Sequence, residues 1–468
     1  MADPIAVLVE DDAEQAAVSR EVLEEEGFRV RAFDALAPVL DYLQHPPELI
    51  DLFVLDRRLP VRLGDNASDE LGDELLTQVN MDYPDACIIV FTGFASIDHV
   101  QQAVRGSVPL PEHEGVSVDR ISVLQKHQSL DFRDRVRQLR GLLQSLEDIE
   151  LVADGGSAMS EFHRRILRRL AHSYGAVSVT AYPLEGGMTD AAVWRCELRG
   201  PLGPVGTVVA KQGKRGKVAE VRLTELLPKA FVATGIATVT GLMAGTPLHV
   251  FQVAGDHPVP LMELLGTDPV RAVEVVRPLW QALGAISSQH TVQRVEEICA
   301  PLVHWATLAE VLEKHHVSVP AGSLTASTAI GVRHGDLHPG NVLSVNGQAV
   351  LIDFDSCAYA AGGLDPVTML LSTLVHPDSP IRGAGWPDAA RIEAVFDTPD
   401  FGAGHPCEAW FRGVHDWVSE CCTSDRERWV LVLAYSGRQL QYGDVLGSPD
   451  VMERVLALAR WAARKLTE

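Results

Sequence analysis

Cysteine and long apolar runs are both scarce in this sequence, and each shortage excludes a class of protein. No apolar stretch approaches the ~18 residues that are needed to span a bilayer, so we expect no membrane segment. The seven cysteines are spread over 468 residues without framework spacing, which predicts reduced thiols rather than disulfides. The opening MADPIAVLVEDD has no basic segment and differs from a secretory signal. We therefore predict a cytoplasmic protein.

Basic residues are also in short supply, with 40 Lys and Arg against 63 Asp and Glu and a net charge of −23. Residues 1–127 hold 25 of the acidic and nine of the basic side chains, and this uneven charge indicates two modules. A nucleic-acid surface requires basic side chains, so we expect no nucleic-acid partner. Two short arginine clusters are interpreted as solvated helix faces: Arg133, Arg135, Arg137 and Arg140, then Arg164, Arg165, Arg168 and Arg169.

The first 127 residues alternate short apolar stretches with helix-like ones. The predicted strands are 5–9, 28–32, 52–55, 86–91 and 121–124. The predicted helices are 14–26, 35–44, 70–80, 97–105 and 129–146. Apolar strands that alternate with helices are typical of a parallel sheet covered on both faces. We predict an α/β, doubly wound, five-stranded parallel domain over residues 1–127, with a final helix that extends to about 147.

The pattern changes after this helix. Residues 148–175 are predicted to contain a linker and a bracing helix. Strand-like stretches then dominate residues 176–255, together with one helix at Lys217–Phe231, and residues 256–468 are mainly helical apart from one hairpin. A small strand-rich lobe before a larger helical lobe is the order of kinase-like folds. We therefore predict an α+β, bilobal kinase-like domain over residues 176–468.

The string His334-Gly335-Asp336-Leu337-His338-Pro339-Gly340-Asn341, followed after a short strand by Asp353-Phe354-Asp355, contains the groups that phosphoryl transfer requires. The reaction needs an acceptor hydroxyl held in line, a group that takes its proton, and metal ions that neutralise the phosphate oxygens. A carboxylate and a carboxamide on a tight loop, with a second carboxylate after a strand, offer a base and the oxygen ligands that magnesium prefers.

This string resembles the catalytic and metal-binding loops of the aminoglycoside phosphotransferase and choline-kinase-like families. The resemblance implies that Asp336 is the general base and that Asn341 and Asp353 bind magnesium. His338 stands where protein kinases usually have lysine, which favours the small-molecule branch. Asp365 resembles the structural aspartate that follows the metal loop in these families.

The same resemblance assigns ATP binding to the small lobe. Gly186-Gly187 and Thr189 fall where the family's phosphate-covering loop is expected, since adjacent glycines let backbone N–H groups approach phosphates closely. Lys211 ends an apolar strand and resembles the family's third-strand lysine, which holds the α- and β-phosphates. Glu220, on the following predicted helix, is the candidate partner of this lysine, and Glu225 is the competing candidate.

Polar side chains stand at the ends of four predicted strands in the first 127 residues. Glu10 and Asp11 follow the first strand, and Asp56 ends the third. Thr92 ends the fourth, and Lys126 follows the fifth. The carboxyl ends of parallel strands converge on one crevice. This pattern resembles the receiver domains of two-component response regulators, which implies that Asp56 is phosphorylated and binds magnesium with Glu10 and Asp11. Thr92 and Lys126 would then contact the phosphate.

The sequence thus predicts an ATP- and magnesium-dependent phosphotransferase that acts on a hydroxyl acceptor and is regulated by phosphorylation of its receiver domain. The expected partners are ATP, an unidentified acceptor, and a sensor histidine kinase or other phosphodonor. Two alternatives stay open: a catalytically silent nucleotide-binding scaffold, and a kinase of a protein acceptor in a bacterial signalling or defence system. Acidic residues of the large lobe suit a cationic acceptor such as an aminoglycoside, but a solvated acidic surface is the simpler interpretation.

Overall fold

The computed structural model describes residues 3–46, 49–92, 110, 119–126, 129–153, 159–184, 192–213, 223–253, 258–286, 288–383 and 385–468. The chain divides into two units. The first comprises Met1–Lys217 and Gly235–Val253, and the second comprises Val218–Thr234 and Ala254–Glu468. Within the described ranges, no helix is both long and apolar enough to cross a membrane.

A five-stranded parallel sheet begins the first unit, in the order β2-β1-β3-β4-β5. Its strands are β1 (Ile5–Val9), β2 (Arg29–Phe33), β3 (Leu52–Asp56), β4 (Cys87–Thr92) and β5 (Ile121–Gln125). Its helices are α1 (Ala13–Glu25), α2 (Leu36–Gln44), α3 (Asp69–Asp82) and α4 (Ser129–Glu147). The predicted five-stranded parallel sheet is confirmed. The predicted helix at 97–105 lies outside the described residues.

Both faces of this sheet are buried at its centre, which explains why β1, β3 and β4 are apolar runs, whereas the edge strand β2 carries the exposed Arg29 and Arg31. Ala6 and Leu8 of β1 pack into one core with side chains of α1 and α4. Val7 and Val9 of the same strand pack into a second core with side chains of α2 and α3. Successive side chains of a strand point to opposite faces, so helices on both faces require every position to be apolar.

A six-stranded sheet follows in the same unit, in the order β10-β11-β9-β8-β7-β6. Its strands are β6 (Glu150–Ala153), β7 (Ser178–Pro183), β8 (Val193–Gly200), β9 (Gly203–Gln212), β10 (Gly235–Val239) and β11 (Leu248–Gln252). Helix α5 (Glu161–Ser173) packs its apolar side chains against this sheet. The sequence did not predict β6, which lies in the segment predicted as a linker and pairs in parallel with β7.

The two sheets of the first unit meet at the loop between β10 and β11. Asp85, which precedes β4, is buried, and its carboxylate accepts hydrogen bonds from the N–H groups of Met243 and Gly245 at 2.7 and 2.6 Å. Leu242 of the same loop joins the hydrophobic core that contains Leu8 and Phe91. This loop, residues 240–247, is named the docking loop below, because it carries the contact between the two sheets.

A buried ion pair joins the two sheets at a second place. Arg165 of α5 donates to Asp51 at 2.8 Å, and the two side chains are 9% and 4% exposed. Arg169 is also buried and donates to the carbonyl of Thr240 at 3.2 Å. The interpretation of the cluster that starts at Arg164 as a solvated helix face is therefore wrong for Arg165 and Arg169, because both contact backbone or side chains that the sequence alone does not bring near them.

The second unit is mainly helical. Its helices are α6 (Leu223–Leu226), α7 (Leu261–Thr267), α8 (Pro269–Gly284), α9 (Val295–Cys299), α10 (Trp305–Lys314), α11 (Leu364–Val375), α12 (Ala389–Val395), α13 (Glu408–Cys421), α14 (Asp425–Gln439), α15 (Gly443–Leu446) and α16 (Pro449–Thr467). Short 3₁₀ turns occur at Lys229–Phe231, Pro339–Asn341 and Pro399–Gly402. One large hydrophobic core connects most of these helices.

Two small sheets complete the second unit. One has the order β12-β15-β16, with β12 (Val259–Pro260), β15 (Val342–Val345) and β16 (Gln348–Leu351). The other has the order β13-β14-β17, with β13 (Gln289–Arg294), β14 (Thr325–Arg333) and β17 (Ala358–Ala361). The predicted hairpin corresponds to β15 and β16. The second sheet was not predicted, because β14 and β17 both contain alanine and β14 also contains glycine, and these residue types are depleted in strands.

The predicted helix at Lys217–Phe231 differs from the structure over its described part. From residue 223 onward it contains α6 and the 3₁₀ turn at Lys229–Phe231, with Pro228 between them. Proline lacks the N–H group that a continuing helix requires. Leu223 and Leu227 belong to the core of the second unit. This segment is therefore part of that unit and not, as predicted, of the small lobe that contains the six-stranded sheet.

The docking loop gives the first testable prediction. Asp85→Ala removes the acceptor of one buried and one partly buried N–H group, so the free energy of unfolding of the first unit should fall by about 2–4 kcal/mol. Hydrogen exchange of the full chain would show this as faster exchange at the amides of Met243 and Gly245. Asp41→Ala is the matched control, since Asp41 is exposed on α2. Unchanged protection at both amides in Asp85→Ala would contradict the prediction.

Candidate functional site

Three carboxylates and one lysine meet at the carboxyl ends of β1, β3 and β5. Carboxylate oxygens of Glu10, Asp11 and Asp56 lie within 4.8 Å of one another. The Lys126 Nζ lies 2.7 Å from Asp56 Oδ2 and 2.8 Å from Glu10 Oε1. Glu10 and Asp56 are each only 3% exposed. The structure thus brings together four of the five residues that the sequence placed in this crevice.

Thr92 is the fifth residue predicted for this crevice, and Asp12 is the acidic residue that follows Glu10 and Asp11 in the sequence. Thr92 ends β4, which lies between β3 and β5, but its side chain is outside the described residues. Asp12 follows Glu10 and Asp11 in sequence, but its carboxylate accepts hydrogen bonds from the N–H groups of Glu14 and Gln15. Asp12 is therefore the N-cap of α1, which is a structural role.

The electrostatics of this cluster favour a bound cation. Burial raises the pKa of Glu10 to about 7; the hydrogen bond from Lys126 opposes this rise and the charge of Asp56 adds to it. Burial and the charge of Asp56 also raise the pKa of Asp11. A divalent cation relieves such repulsion, and magnesium prefers carboxylate oxygens as ligands. The three carboxylates therefore fit a magnesium ion by charge, by donor type and by spacing.

The loop of the second unit that contains Asp336 is held by a buried aspartate. Both carboxylate oxygens of Asp365, in the first turn of α11, accept backbone hydrogen bonds at 3.0 Å, one from His334 and one from Gly335. Gly335 has a φ of +83°, which L side chains rarely adopt, and a Cβ atom here would lie 2.1 Å from the carbonyl oxygen of Ser356. Glycine is thus required for this turn, and Asp365 fixes its position.

Asp336 and Asn341 are in direct contact across this loop. The Asn341 Nδ2 donates to the carbonyl oxygen of Asp336 at 2.9 Å, and the backbone N–H of His338 donates to the same oxygen at 3.1 Å. Asn341 is buried, whereas the side chain of Asp336 is 32% exposed. Asp353 follows β16 in a left-handed conformation with a φ of +62°. Asn341 and Asp353 offer the amide and carboxylate oxygens that suit magnesium.

His338 lies among these groups as a neutral ring. Burial, and to a smaller extent the neighbouring His376, lowers its pKa to about 4, although the carboxylates of Asp336 and Asp353 act in the opposite direction. The rings of His338 and His376 are 4.6 Å apart between centroids. The Nδ1 of His338 accepts the N–H of Gly340, so this ring shapes the loop and carries no charge near neutral pH.

The residues predicted to bind the nucleotide are only partly described. Lys211 lies near the end of β9, is buried, and pairs with Val193 of β8 and His249 of β11. Gly186, Gly187, Thr189 and Glu220 all lie outside the described residues. The competing candidate Glu225 lies on α6 and is exposed.

Sequence reasoning missed one residue of the Asp336 site. Arg438, in the last turn of α14, places its Nη1 3.4 Å from the Oδ1 of Asp336. Its Nε donates to the hydroxyl oxygen of Tyr442 at 2.9 Å. An arginine near a helix end ordinarily serves the helix dipole, so no local pattern separates Arg438 from a surface residue.

Two stretches of the sequence match known family models. Residues 6–108 match the response regulator receiver domain. Residues 269–402 match the phosphotransferase enzyme family, and this stretch contains Asp336, Asn341, Asp353 and Asp365. The chain therefore carries an amino-terminal receiver domain and a carboxyl-terminal phosphotransferase-family domain. No curated protein matches the sequence.

Solved structures of both kinds are similar to parts of the chain. A CheY-like receiver domain protein from Methanospirillum hungatei JF-1 is 18% identical, covers 29% of this chain and 95% of its own, and has a TM-score of 0.22. A glucosamine kinase in complex with glucosamine, ADP and inorganic phosphate is 18% identical, with 56% and 77% covered and a TM-score of 0.36. A choline/ethanolamine kinase family protein from Mesorhizobium loti is 11% identical, with 61% and 88% covered and a TM-score of 0.29.

The Asp336 loop gives the second prediction. Gly335→Ala places a side chain in a left-handed conformation, which costs about 1–2 kcal/mol, and also directs it into the carbonyl of Ser356. Gly404→Ala is the matched control, because Gly404 has a φ of +78° and no atom within 4 Å of the added Cβ. Thermal unfolding should show a larger fall in Tm for Gly335→Ala than for Gly404→Ala. Equal shifts for the two variants would show that the close approach to Ser356 is not a constraint.

Proposed function

We propose that this protein transfers the γ-phosphoryl group of ATP to a hydroxyl acceptor, and that its receiver domain sets the rate. The observation that carries the proposal is the Asp336 loop, whose backbone is held by the Asn341 carboxamide and by the buried carboxylate of Asp365, while the Asp336 carboxylate is partly exposed. The match of residues 269–402 to the phosphotransferase family supports the same chemistry.

Each group of the loop has a role in this reaction. Asp336 accepts the proton of the acceptor hydroxyl as the hydroxyl oxygen attacks the γ-phosphorus, and ADP leaves with the electrons of the broken bond. Asn341 and Asp353 are the proposed magnesium ligands, and bound magnesium neutralises the charge of the phosphate oxygens. Lys211, in the first unit, is the proposed ligand of the α- and β-phosphates.

The receiver site performs a second and separate phosphoryl transfer. Asp56 is the proposed nucleophile, which takes a phosphoryl group from a sensor histidine kinase or other phosphodonor. Glu10 and Asp11 complete the proposed magnesium site, and the position of Lys126, 2.7 Å from Asp56, suits contact with the phosphate. The phosphoryl group is transferred to the protein itself, so the product is a phosphorylated receiver domain in a changed state.

The contacts within the first unit offer a route from this site to Lys211. Strand β3 carries Asp56 at its carboxyl end, and Asp51, the ion-pair partner of Arg165, precedes its other end about 17 Å away. Asp85 precedes β4 and holds the docking loop, which leads directly into β11. Strand β11 pairs with β9, where Lys211 lies opposite His249. A shift of β3 or β4 on phosphorylation would therefore reach the strand that carries Lys211.

The phosphotransfer proposal gives the third prediction. Asp336→Asn keeps the size of the side chain but removes the base, so magnesium-dependent turnover of ATP should fall about 10²–10⁴-fold. The measurement is ADP release by the full chain with a panel of small-molecule acceptors and fractionated cell lysate. Asp388→Asn is a matched control, because Asp388 caps α12 and takes no part in the proposed site.

The outcomes of this assay separate the three candidate functions. Asp336-dependent turnover with a small-molecule fraction supports the proposed enzyme, and turnover that requires a protein fraction identifies a protein kinase. Binding of ATP by wild-type protein, with no turnover above the Asp336→Asn level in any fraction, would leave the nucleotide-binding scaffold as the function.

Regulation by the receiver gives the fourth prediction. Beryllofluoride, which mimics a phosphoryl group on aspartate, should change kcat of the wild-type chain about 5-fold or more, a typical allosteric coupling. Asp56→Asn should abolish the response, because the mimic then has no carboxylate to bind. Asp85→Ala should reduce it while Asp41→Ala keeps it, since only the former releases the docking loop. An identical kcat with and without beryllofluoride in wild-type protein would rule out this regulation.

A further inference from the structure

Arg438 is the one described residue whose side chain forms an ion pair with the carboxylate of Asp336, at 3.4 Å from Nη1 to Oδ1. The two residues are 102 positions apart in the sequence, so only the fold brings them together. No other described side chain makes a hydrogen bond or ion pair with this carboxylate. Among the described residues, Arg438 is therefore the side chain placed to orient the Asp336 carboxylate.

The surroundings of Arg438 limit where its guanidinium can go. Its helix, α14, is buried along Val430–Gly437 and contacts α16 and α10. Gly437, the preceding residue, packs so closely on Leu308 of α10 that an added Cβ would lie 2.1 Å from Leu308 Cδ1. The hydroxyl of Tyr442 accepts from the Nε at 2.9 Å and fixes the plane of the guanidinium. Arg438 is thus a pre-oriented cation, 27% exposed, that remains charged at all working pH values.

The backbone of Asp336 is fixed by its loop, but these contacts do not fix the rotation of its side chain. The Asn341 amide and the His338 N–H both contact the carbonyl oxygen of Asp336, whereas Arg438 contacts the carboxylate itself. With Oδ1 held by Arg438, Oδ2 is the oxygen left to receive a proton.

We propose that Arg438, oriented by Tyr442, is a positioning residue that holds Asp336 through Oδ1 and presents Oδ2 to the acceptor hydroxyl. The inference rests on the proposed phosphotransferase function and adds to it a residue outside the Asp336 loop. It also excludes a direct role for Arg438 in binding the acceptor or the nucleotide. A positioning role and a binding role change different kinetic parameters. Loss of a residue that positions the base lowers kcat, whereas loss of one that binds substrate and transition state equally raises KM.

The test is a double-substitution cycle of Arg438→Gln and Asp336→Asn in the full chain. Arg438→Gln should lower kcat about 10- to 100-fold with little change in KM for ATP or the acceptor, since a misplaced base loses its geometry. In the Asp336→Asn background the same change should cause no further loss, because the residue acts only through that carboxylate. Radiolabelled ATP and long incubations make the residual turnover measurable.

Conservative variants and a control complete the design. Arg438→Lys keeps a cation without the planar fork and should recover part of kcat. Tyr442→Phe removes the acceptor of the Nε hydrogen bond and should cause a smaller loss that also disappears in the Asp336→Asn background. Arg460→Gln is the matched control, because Arg460 lies exposed on α16 of the same unit. Circular dichroism melting of each variant separates loss of fold from loss of positioning.

Different results would contradict the role of Arg438 and the proposed phosphotransferase function. If Arg438→Gln folds and keeps the wild-type kcat, or raises KM of the acceptor and still lowers turnover in the Asp336→Asn background, Arg438 is not a positioning residue. If wild-type protein turns over no faster than Asp336→Asn, the proposed phosphotransferase function fails, and the role of Arg438 fails with it.

Discussion

The hydrogen bonds from the backbone of His334 and Gly335 to the buried carboxylate of Asp365 hold the loop on which the proposed chemistry depends. Asp365 is itself held, because Glu427 accepts the N–H of Gly363 at the start of the same helix. A buried carboxylate without donors is costly, and one that accepts two N–H groups fixes the backbone that provides them. The position of Asp336 thus follows from a chain of buried acceptors that begins in the core of the second unit.

Carboxylates that accept backbone N–H groups also occur in the first unit. Asp85 accepts two N–H groups of the docking loop, and Asp51 accepts the N–H of Ile5 as well as the guanidinium of Arg165. Such groups add little to stability when both partners are present, but removal of one partner leaves a buried polar group unsatisfied. The contact between the two sheets is therefore specific in position, which is the property that a relay of receiver state would require.

How much of this structure could be predicted from the sequence depends on how far apart the interacting residues lie along the chain. The central strands of the first sheet are local apolar runs, so they were predicted close to their observed bounds. The string from His334 to Asn341 is local too, so the sequence alone is enough to single it out. Parallel topology then explains why Glu10, Asp56 and Lys126 meet. Strand β6, the sheet of β13, β14 and β17, and the docking loop depend on partners far along the chain, which no local pattern specifies.

The roles of charged residues are also difficult to predict from local sequence. A run of arginines on a helix is usually solvated, yet Arg165 and Arg169 are buried because a carboxylate and a carbonyl of other elements meet them. Arg438 is a comparable case, since its helix position alone suggests an ordinary C-terminal cation. In each case the partner determines the role, and the fold determines the partner. The partner of a charged side chain that the fold has partly buried is therefore more informative about its role than its sequence context is.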